Sequence, residues 1–209
     1  MKQQKLPLTA GDIWYYYKAY FLIGAVILGI VGYLIFSPHH SKKTALNVTF
    51  IGESVAQNQE SQFQNEATKD VLTGESGKYE ISPQFILAQG GLTDAQNADL
   101  EMKLTASVAA KTMDVLVLDK KDFLLLQKDG YFLDLSKKSG IVKAGEGHFV
   151  GMQTQHGDGK AIYGIDLTGN SLLKRMDYVS DDPVLGIVAN TPHLNTAVQF
   201  AQWLLQQGK

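Results

Sequence analysis

The chain has 209 residues, no cysteine and a formal net charge of -2 from 19 basic and 21 acidic side chains. The absence of cysteine excludes disulfides, thiol catalysis, thiolate-bound zinc and cysteine-bound iron–sulfur clusters. Charges of both signs without a basic patch argue against nucleic-acid binding, so no nucleic acid is predicted as a partner.

The segment from Ala19 to Phe36 contains no charged side chain. At about 1.5 Å per residue, a helix of ~18 residues spans ~27 Å, close to the thickness of a bilayer's hydrocarbon core. Aromatic residues at both ends are typical of the two headgroup layers. The pattern therefore predicts a transmembrane helix over residues 19–36. The alternatives are a cleaved signal peptide and a buried globular helix, but no small-x-small cleavage motif follows Phe36.

The lengths of chain before and after this helix are very unequal, and this difference predicts the orientation of the helix in the membrane. Residues 1–18 form a short tail, predicted to be cytoplasmic, and the flanking lysines favour that orientation slightly. Residues 37–45 are a polar tether, and residues 46–209 form the extracytoplasmic domain. Without disulfides, such a domain is more typical of bacteria. We expect a single-pass signal-anchor protein of a bacterial cell membrane, with the lipid bilayer as a partner.

The first half of residues 46–209 alternates strand and helix patterns. The predicted elements are a strand at 46–51, a helix at 55–72, a strand at 78–82, an irregular segment at 83–91, a helix capped by Thr93 or Asp94 and ending near 112, a buried strand at 114–119 and a helix at 120–128 capped by Asp119. Such alternation predicts a three-layer α/β domain with a mostly parallel sheet covered by helices on both faces.

The second half of the domain begins with a different pattern. Residues 148–155 and 160–167 are two strand-like runs around the turn His156-Gly-Asp-Gly159, which predicts an antiparallel hairpin. A helical turn is predicted at 170–176 and a buried strand at 184–189. Pro192 then introduces a final amphipathic helix.

Residues 103–119, followed by Phe123 and by Leu133-Asp-Leu-Ser136, resemble a recurring pattern of bacterial extracellular solute-binding proteins. That pattern is a helix, an aspartate-led buried strand, a short helix and a Leu-Asp-Leu-Ser turn. Residues 161–167 are similar to the family's strand that leads into its hinge, and residues 184–205 to its returning strand and packing helix. The resemblance implies a domain like one lobe of such a protein.

The chain departs from this family where the second lobe is usually inserted. Only 16 residues, 168–183, occupy that position. This is too short for a lobe with its own core. The resemblance therefore implies a single-lobe, membrane-anchored derivative that lacks the opposite side of the ligand cleft, so that binding of a small-molecule ligand stays open.

In open α/β sheets, ligands bind beyond the carboxyl ends of the parallel strands. The candidate ligand-binding residues follow the first three predicted strands; they are Gly52, Glu53, Ser54, Ser82, Asp119 and Lys120. Structural explanations exist for the same residues. Gly52 and Ser54 suit a turn, Asp119 suits a helix N-cap, and Lys120 suits a hydrated first turn together with Lys121 and Asp122.

An enzymatic alternative starts from Phe50-Ile-Gly-Glu-Ser54, which resembles the amino-terminal block of the GDSL-type (SGNH) hydrolases. That family has aspartate at the position of Glu53. His193 stands where the family has its base, but Asn190 replaces the usual aspartate, so the imidazole is expected to lack an orienting carboxylate. The alternative function is thus a serine hydrolase using Ser54 and His193.

The sequence favours a non-enzymatic role in binding, in sensing or as a transporter accessory, with a membrane protein or transporter as partner. No catalytic residue is assigned in this interpretation. No histidine has a metal-ligand spacing and no phosphate-binding glycine loop follows a strand, so neither a metal site nor a cofactor is predicted.

Overall fold

The computed structural model describes residues 42–53, 57–92, 94, 97–137, 141, 149–153 and 160–208. The predicted transmembrane helix and cytoplasmic tail lie outside these residues, as do Ser54, Thr93 and the His156 turn. None of the helices in the described ranges has the length and apolar character needed to cross a bilayer. Lys42–Lys209 form one compact unit by themselves.

The helices and strands of the described ranges follow the predicted order. They are β1 (Lys43–Gly52), α1 (Gln57–Val71), β2 (Tyr79–Leu87), α2 (Ala98–Ala109), β3 (Val115–Asp119), α3 (Lys120–Lys128), β4 (Phe149–Gln153), β5 (Lys160–Asp166), α4 (Ser171–Arg175), β6 (Pro183–Ile187) and α5 (Leu194–Gln206).

The strands form one mixed sheet in the order β2-β1-β3-β6-β5-β4. β1 lies parallel to both β2 and β3, as the alternation of strands and helices predicts. The other half is antiparallel, because β6 runs against β3 and β5, and β4 pairs with β5 as the predicted hairpin. The parallel arrangement thus applies to the three strands joined by helices.

Helices cover both faces of the sheet, which confirms an α/β domain with three layers. On one face, alternate side chains such as Val48 and Phe50 pack against α1, α4 and α5. On the other face, Leu116 and Leu118 pack against α2 and α3. β3 and β6 are buried along almost their whole length, as expected for central strands covered on both sides.

Two strands are longer than predicted. β1 begins at Lys43, whose N–H donates to the carbonyl of Lys78 at 2.9 Å, so the last three residues assigned to the tether belong to the sheet. β2 continues to Leu87, so the prediction of an irregular segment from Pro83 is wrong. Proline is tolerated here because β2 is an edge strand of the sheet.

The predicted start of α2 is also wrong, because the helix begins at Ala98 and not near Asp94. Asn97 occupies the N-cap position, but its side chain makes no capping hydrogen bond. The Asn97 amide instead donates to the carbonyls of Gln89 and Gly91, at 2.9 and 2.8 Å. It therefore holds the glycine turn after β2 against the start of the helix.

A stacked pair of phenylalanines connects α3 to the antiparallel half of the sheet. The rings of Phe123 and Phe132 lie 4.4 Å apart between centroids. A Cβ atom at Gly186 of β6 would approach the Phe132 ring to 2.4 Å. A larger residue at position 186 would therefore displace the ring, and glycine is required there for close packing.

Asp114, immediately before β3, is completely buried and is the centre of a polar network. Its Oδ2 accepts the N–H of Asn47 in β1 at 2.8 Å. The hydroxyl of Thr191 donates to Oδ1, and Nδ1 of His193 lies 3.1 Å from both carboxylate oxygens. This single side chain thus joins β1 and β3 to the loop that precedes α5.

We predict that Asp114→Ala lowers the free energy of unfolding by about 2–4 kcal/mol, because it removes a completely buried acceptor and leaves the half-buried donors of Asn47 and Thr191 without a partner. Urea unfolding of the full chain in detergent micelles measures the change. The matched control is Asp129→Ala at the exposed end of α3, expected to change stability by less than about 0.5 kcal/mol. Equal effects of the two substitutions would contradict the structural role of Asp114.

Candidate functional site

The carboxyl ends of β1 and β3 form the edge at which a ligand was expected. Phe50 pairs with Val117, so the parallel register brings Gly52 beside Asp119 two residues later. Lys120, the first residue of α3, continues this edge, and Glu53 extends beyond β1 with its side chain exposed. The structure therefore brings together four of the six predicted residues, and Ser54 lies outside the described ranges.

Ser82 does not belong to this edge. It lies within β2, where it pairs with Asn47 of β1, and β2 continues for five more residues to Leu87. At ~3.3 Å per residue, Ser82 lies roughly 16 Å from the carboxyl end of its strand. The prediction that Ser82 ends the strand is wrong because proline, here Pro83, commonly ends a strand but does not do so in β2.

The link between β5 and β6, residues 167–182, lies across the carboxyl edge and fills the crevice there. Tyr178 of this link is buried, and its hydroxyl donates to the carbonyl of Ile51 at 2.7 Å, while the carbonyl of Val117 lies 3.4 Å away. A Cβ atom at Gly52 would approach the Tyr178 ring to 2.8 Å. Glycine at position 52 therefore makes room for Tyr178 and not for a ligand.

Burial raises the pKa of Tyr178, and the negative charge of Asp119 adds to that effect. The hydroxyl therefore stays protonated and remains a donor at physiological pH. Because the donor is buried against the backbone carbonyls of β1 and β3, the bond fixes the link to both parallel strands.

The remaining predicted residues are also held by this link. Asp119 occupies the N-cap position of α3 as predicted, but it makes no capping hydrogen bond, and its Oδ1 accepts from the hydroxyl of Ser180. The N–H of Lys120 donates to the carbonyl of Asp182 at 2.9 Å, and that of Glu53 to Val179 at 3.1 Å. The side chain of Lys120 is exposed, as a hydrated residue would be.

Asp122 contradicts the prediction that the first turn of α3 is hydrated, because only 3% of it is exposed. Its Oδ2 accepts the N–H of Leu92 at 2.9 Å, while Oδ1 has no partner among the described residues. Burial raises the pKa of this carboxyl; the hydrogen bond from Leu92 opposes that shift, and the charge of Asp119 reinforces it. The sequence does not indicate this burial, because Asp122 stands in a mixed run of charged residues at a helix start, which is usually exposed to solvent.

His193 lies far from this edge. The expectation that it lacks a carboxylate is wrong, since Asp114 supplies one from 79 positions away in the sequence. Asp114 in turn contacts Asn47, and Asn47 is six residues before Glu53, or about 20 Å along an extended strand. The position of Glu53, far from the Asp114 network that holds His193, thus gives no support to a catalytic dyad of Ser54 and His193.

The part of the chain that the structure describes holds no group of three or more histidine, aspartate or glutamate side chains able to bind a metal ion. At the carboxyl edge, hydrogen bonds join the link to the ends of β1 and β3. Glu53 and Lys120 are the predicted residues whose side chains remain exposed there.

We predict that Tyr178→Phe lowers the free energy of unfolding by about 1–2 kcal/mol, because the carbonyl of Ile51 loses its buried donor. The matched control is Tyr79→Phe, a half-buried tyrosine of β2 whose hydroxyl makes no hydrogen bond among the described residues. Chemical unfolding of the full chain in detergent measures both. An unchanged stability of Tyr178→Phe would show that the link is not held by this bond.

We also predict that Asp122→Asn changes the pH dependence of stability. Asp122 has a folded-state pKa above its ordinary 3.8, so its protonated form is favoured by folding. Its contribution to stability is complete below that value and is lost as pH rises through the folded-state pKa. As the pH rises above the ordinary pKa of 3.8, the wild type should therefore lose stability relative to Asp122→Asn. The same pH dependence of the unfolding free energy in the wild type and in Asp122→Asn would contradict the burial of an ionisable group here.

Comparison of the chain with models of protein families, with curated proteins and with solved structures found no match in any of the three.

Proposed function

We propose that the chain is a single-pass membrane protein whose extracytoplasmic domain contacts another membrane component, as an accessory or sensor of a transporter, and does not enclose a solute at its carboxyl edge. The observation that carries this proposal is the link between β5 and β6, which places Tyr178 against the ends of β1 and β3. The crevice that would receive a solute is occupied by the chain itself.

The topology supports the resemblance to one lobe of a solute-binding protein. The strand similar to the family's hinge segment is β5, and the returning strand is β6; the two are antiparallel neighbours, with Asp166 opposite Val184. The link leaves and re-enters the sheet at adjacent positions, as an inserted lobe would. This chain has the short α4 and the Tyr178 segment in that place.

The outer surface of the link supports contact with a partner. Val179 is 47% exposed although it lies between the buried Tyr178 and the half-buried Ser180. Glu53, Lys120 and Asp181 are exposed around it. An exposed apolar side chain among charges of both signs can contribute to a small contact with a polar rim.

The absence of cysteine allows the proposal to be tested by single-cysteine labelling of the full chain in cells with an intact cytoplasmic membrane. Lys120→Cys and Lys128→Cys lie at opposite ends of α3, and both positions are exposed. We expect a membrane-impermeant maleimide to label both, because the domain is extracytoplasmic. We expect Lys120→Cys to react about threefold or more slowly than Lys128→Cys, because a partner covers the carboxyl edge.

Extraction into a detergent that separates membrane complexes is the control, and it should make the two reaction rates equal. Labelling of both positions only after permeabilisation would place the domain on the cytoplasmic side and overturn the orientation. Equal rates before extraction would overturn contact at this edge. Ester hydrolysis by the purified chain that Ser54→Ala abolishes would replace the proposal with the hydrolase alternative.

A further inference from the structure

β2 is an edge strand of the sheet, so one side of its backbone has no neighbouring strand among the described residues. In an extended strand, successive residues direct their N–H and C=O groups to opposite sides. The N–H of Ala88, directly after β2, donates to the carbonyl of Gly52 in β1 at 2.9 Å. Counting back from Ala88, the backbone groups of Leu87 and Phe85 therefore point away from β1.

The first outward-pointing donors of β2 have partners within the domain. The N–H of Tyr79 donates to the carbonyl of Glu75, and the N–H of Ile81 to the hydroxyl oxygen of Thr68, both at 3.0 Å. The next outward position is Pro83, which has no N–H. The outer edge therefore offers no free donor to another strand between Tyr79 and Pro83.

Phe85 and Leu87 are different, because their outward N–H and C=O groups make no hydrogen bond with the part of the chain that the structure describes. The side chain of Leu87 is also 67% exposed. Free donors and acceptors along the edge of a sheet are a template for another extended strand. The carboxyl half of this edge can therefore accept a strand, and the spacing of its free groups fixes the register.

The sequence of this edge is compatible with a second copy of itself. Natural edge strands are commonly protected against such pairing by charged side chains. Residues 81–92 contain no charged side chain, so two copies of the segment meet without repulsion. An antiparallel register centred on Ile86 places Phe85 of one copy opposite Leu87 of the other, and the two residues exchange both N–H···O bonds. Two-fold symmetry repeats the exchange at the second pair, which satisfies every free group.

We propose that two copies of the chain associate through antiparallel pairing of their β2 strands, with the two-fold axis at Ile86. The exposed Leu87 side chain then packs on Phe85 of the other copy. A contact made by residues 85–87 is smaller than the ~1,000 Å² of a stable complex, so the association is weak in solution. It depends on a high local concentration, which the proposed membrane anchoring supplies.

The absence of cysteine makes disulfide cross-linking of the full chain in cell membranes a direct test. At the axis the two Ile86 Cα atoms lie ~4.5 Å apart, within the range of a disulfide. Gln84 is more exposed, but its two copies lie about 14 Å apart in this register. We therefore expect Ile86→Cys to form a linked dimer about fivefold or more faster than Gln84→Cys, whereas accessibility alone predicts the opposite order.

A second substitution in the Ile86→Cys chain tests the edge itself. Leu87→Lys places a charge in the apolar pair and should slow cross-linking at least about fivefold. Since Leu87 is exposed, folding should persist. The matched control is Met102→Lys, which replaces a 72% exposed apolar side chain on α2 and should leave the rate unchanged.

Equal rates for Ile86→Cys and Gln84→Cys would overturn the proposal, as would cross-linking that Leu87→Lys does not slow. Absence of the linked dimer, as expected if a strand of another protein covers this edge, would also overturn it. These failures leave the proposed function standing, because Lys120 follows β3, two strands away from β2, and its protection is measured separately.

Discussion

The hydrogen bond from Tyr178 to the carbonyl of Ile51 determines what the carboxyl edge of the sheet can do. In an open α/β sheet, the ends of parallel strands leave a crevice in which ligands normally bind. Here a phenol fills that crevice, and the packing of its ring requires glycine at position 52. Because the donor is buried, breaking the bond would remove a buried hydrogen bond from the carbonyl of Ile51, so the bond keeps the phenol in the crevice.

The amino end of the same strands is held by a different kind of contact. Asp114 accepts hydrogen bonds from β1 and from the loop before α5. His193, the catalytic base of the predicted hydrolase alternative, belongs to the same network. The two ends of the strands thus have separate polar anchors, at Asn47 and Ile51, about 13 Å apart along β1.

Local sequence patterns were sufficient to predict the strands that consist of a short apolar run, because such a run by itself indicates a buried strand. The continuous run of β3, the returning strand β6 and the hairpin of β4 and β5 are all present as predicted. Long-range contacts were not accessible in this way. Nothing near Asp122 indicates that Leu92 covers it, and His193 meets a carboxylate 79 positions earlier. The filling of the predicted site by Tyr178 also depends on a contact between residues 127 positions apart.

The adjacency of β5 and β6 has a consequence for the evolution and engineering of this fold. Because Asp166 is paired with Val184, the two ends of the intervening segment lie only ~5 Å apart. A folded domain whose termini are equally close can be inserted at this point without moving any strand. Deletion of the segment is different, because it would remove Leu172, Leu173 and Met176 from the core together with Tyr178. This point of the fold therefore accepts added sequence more readily than lost sequence.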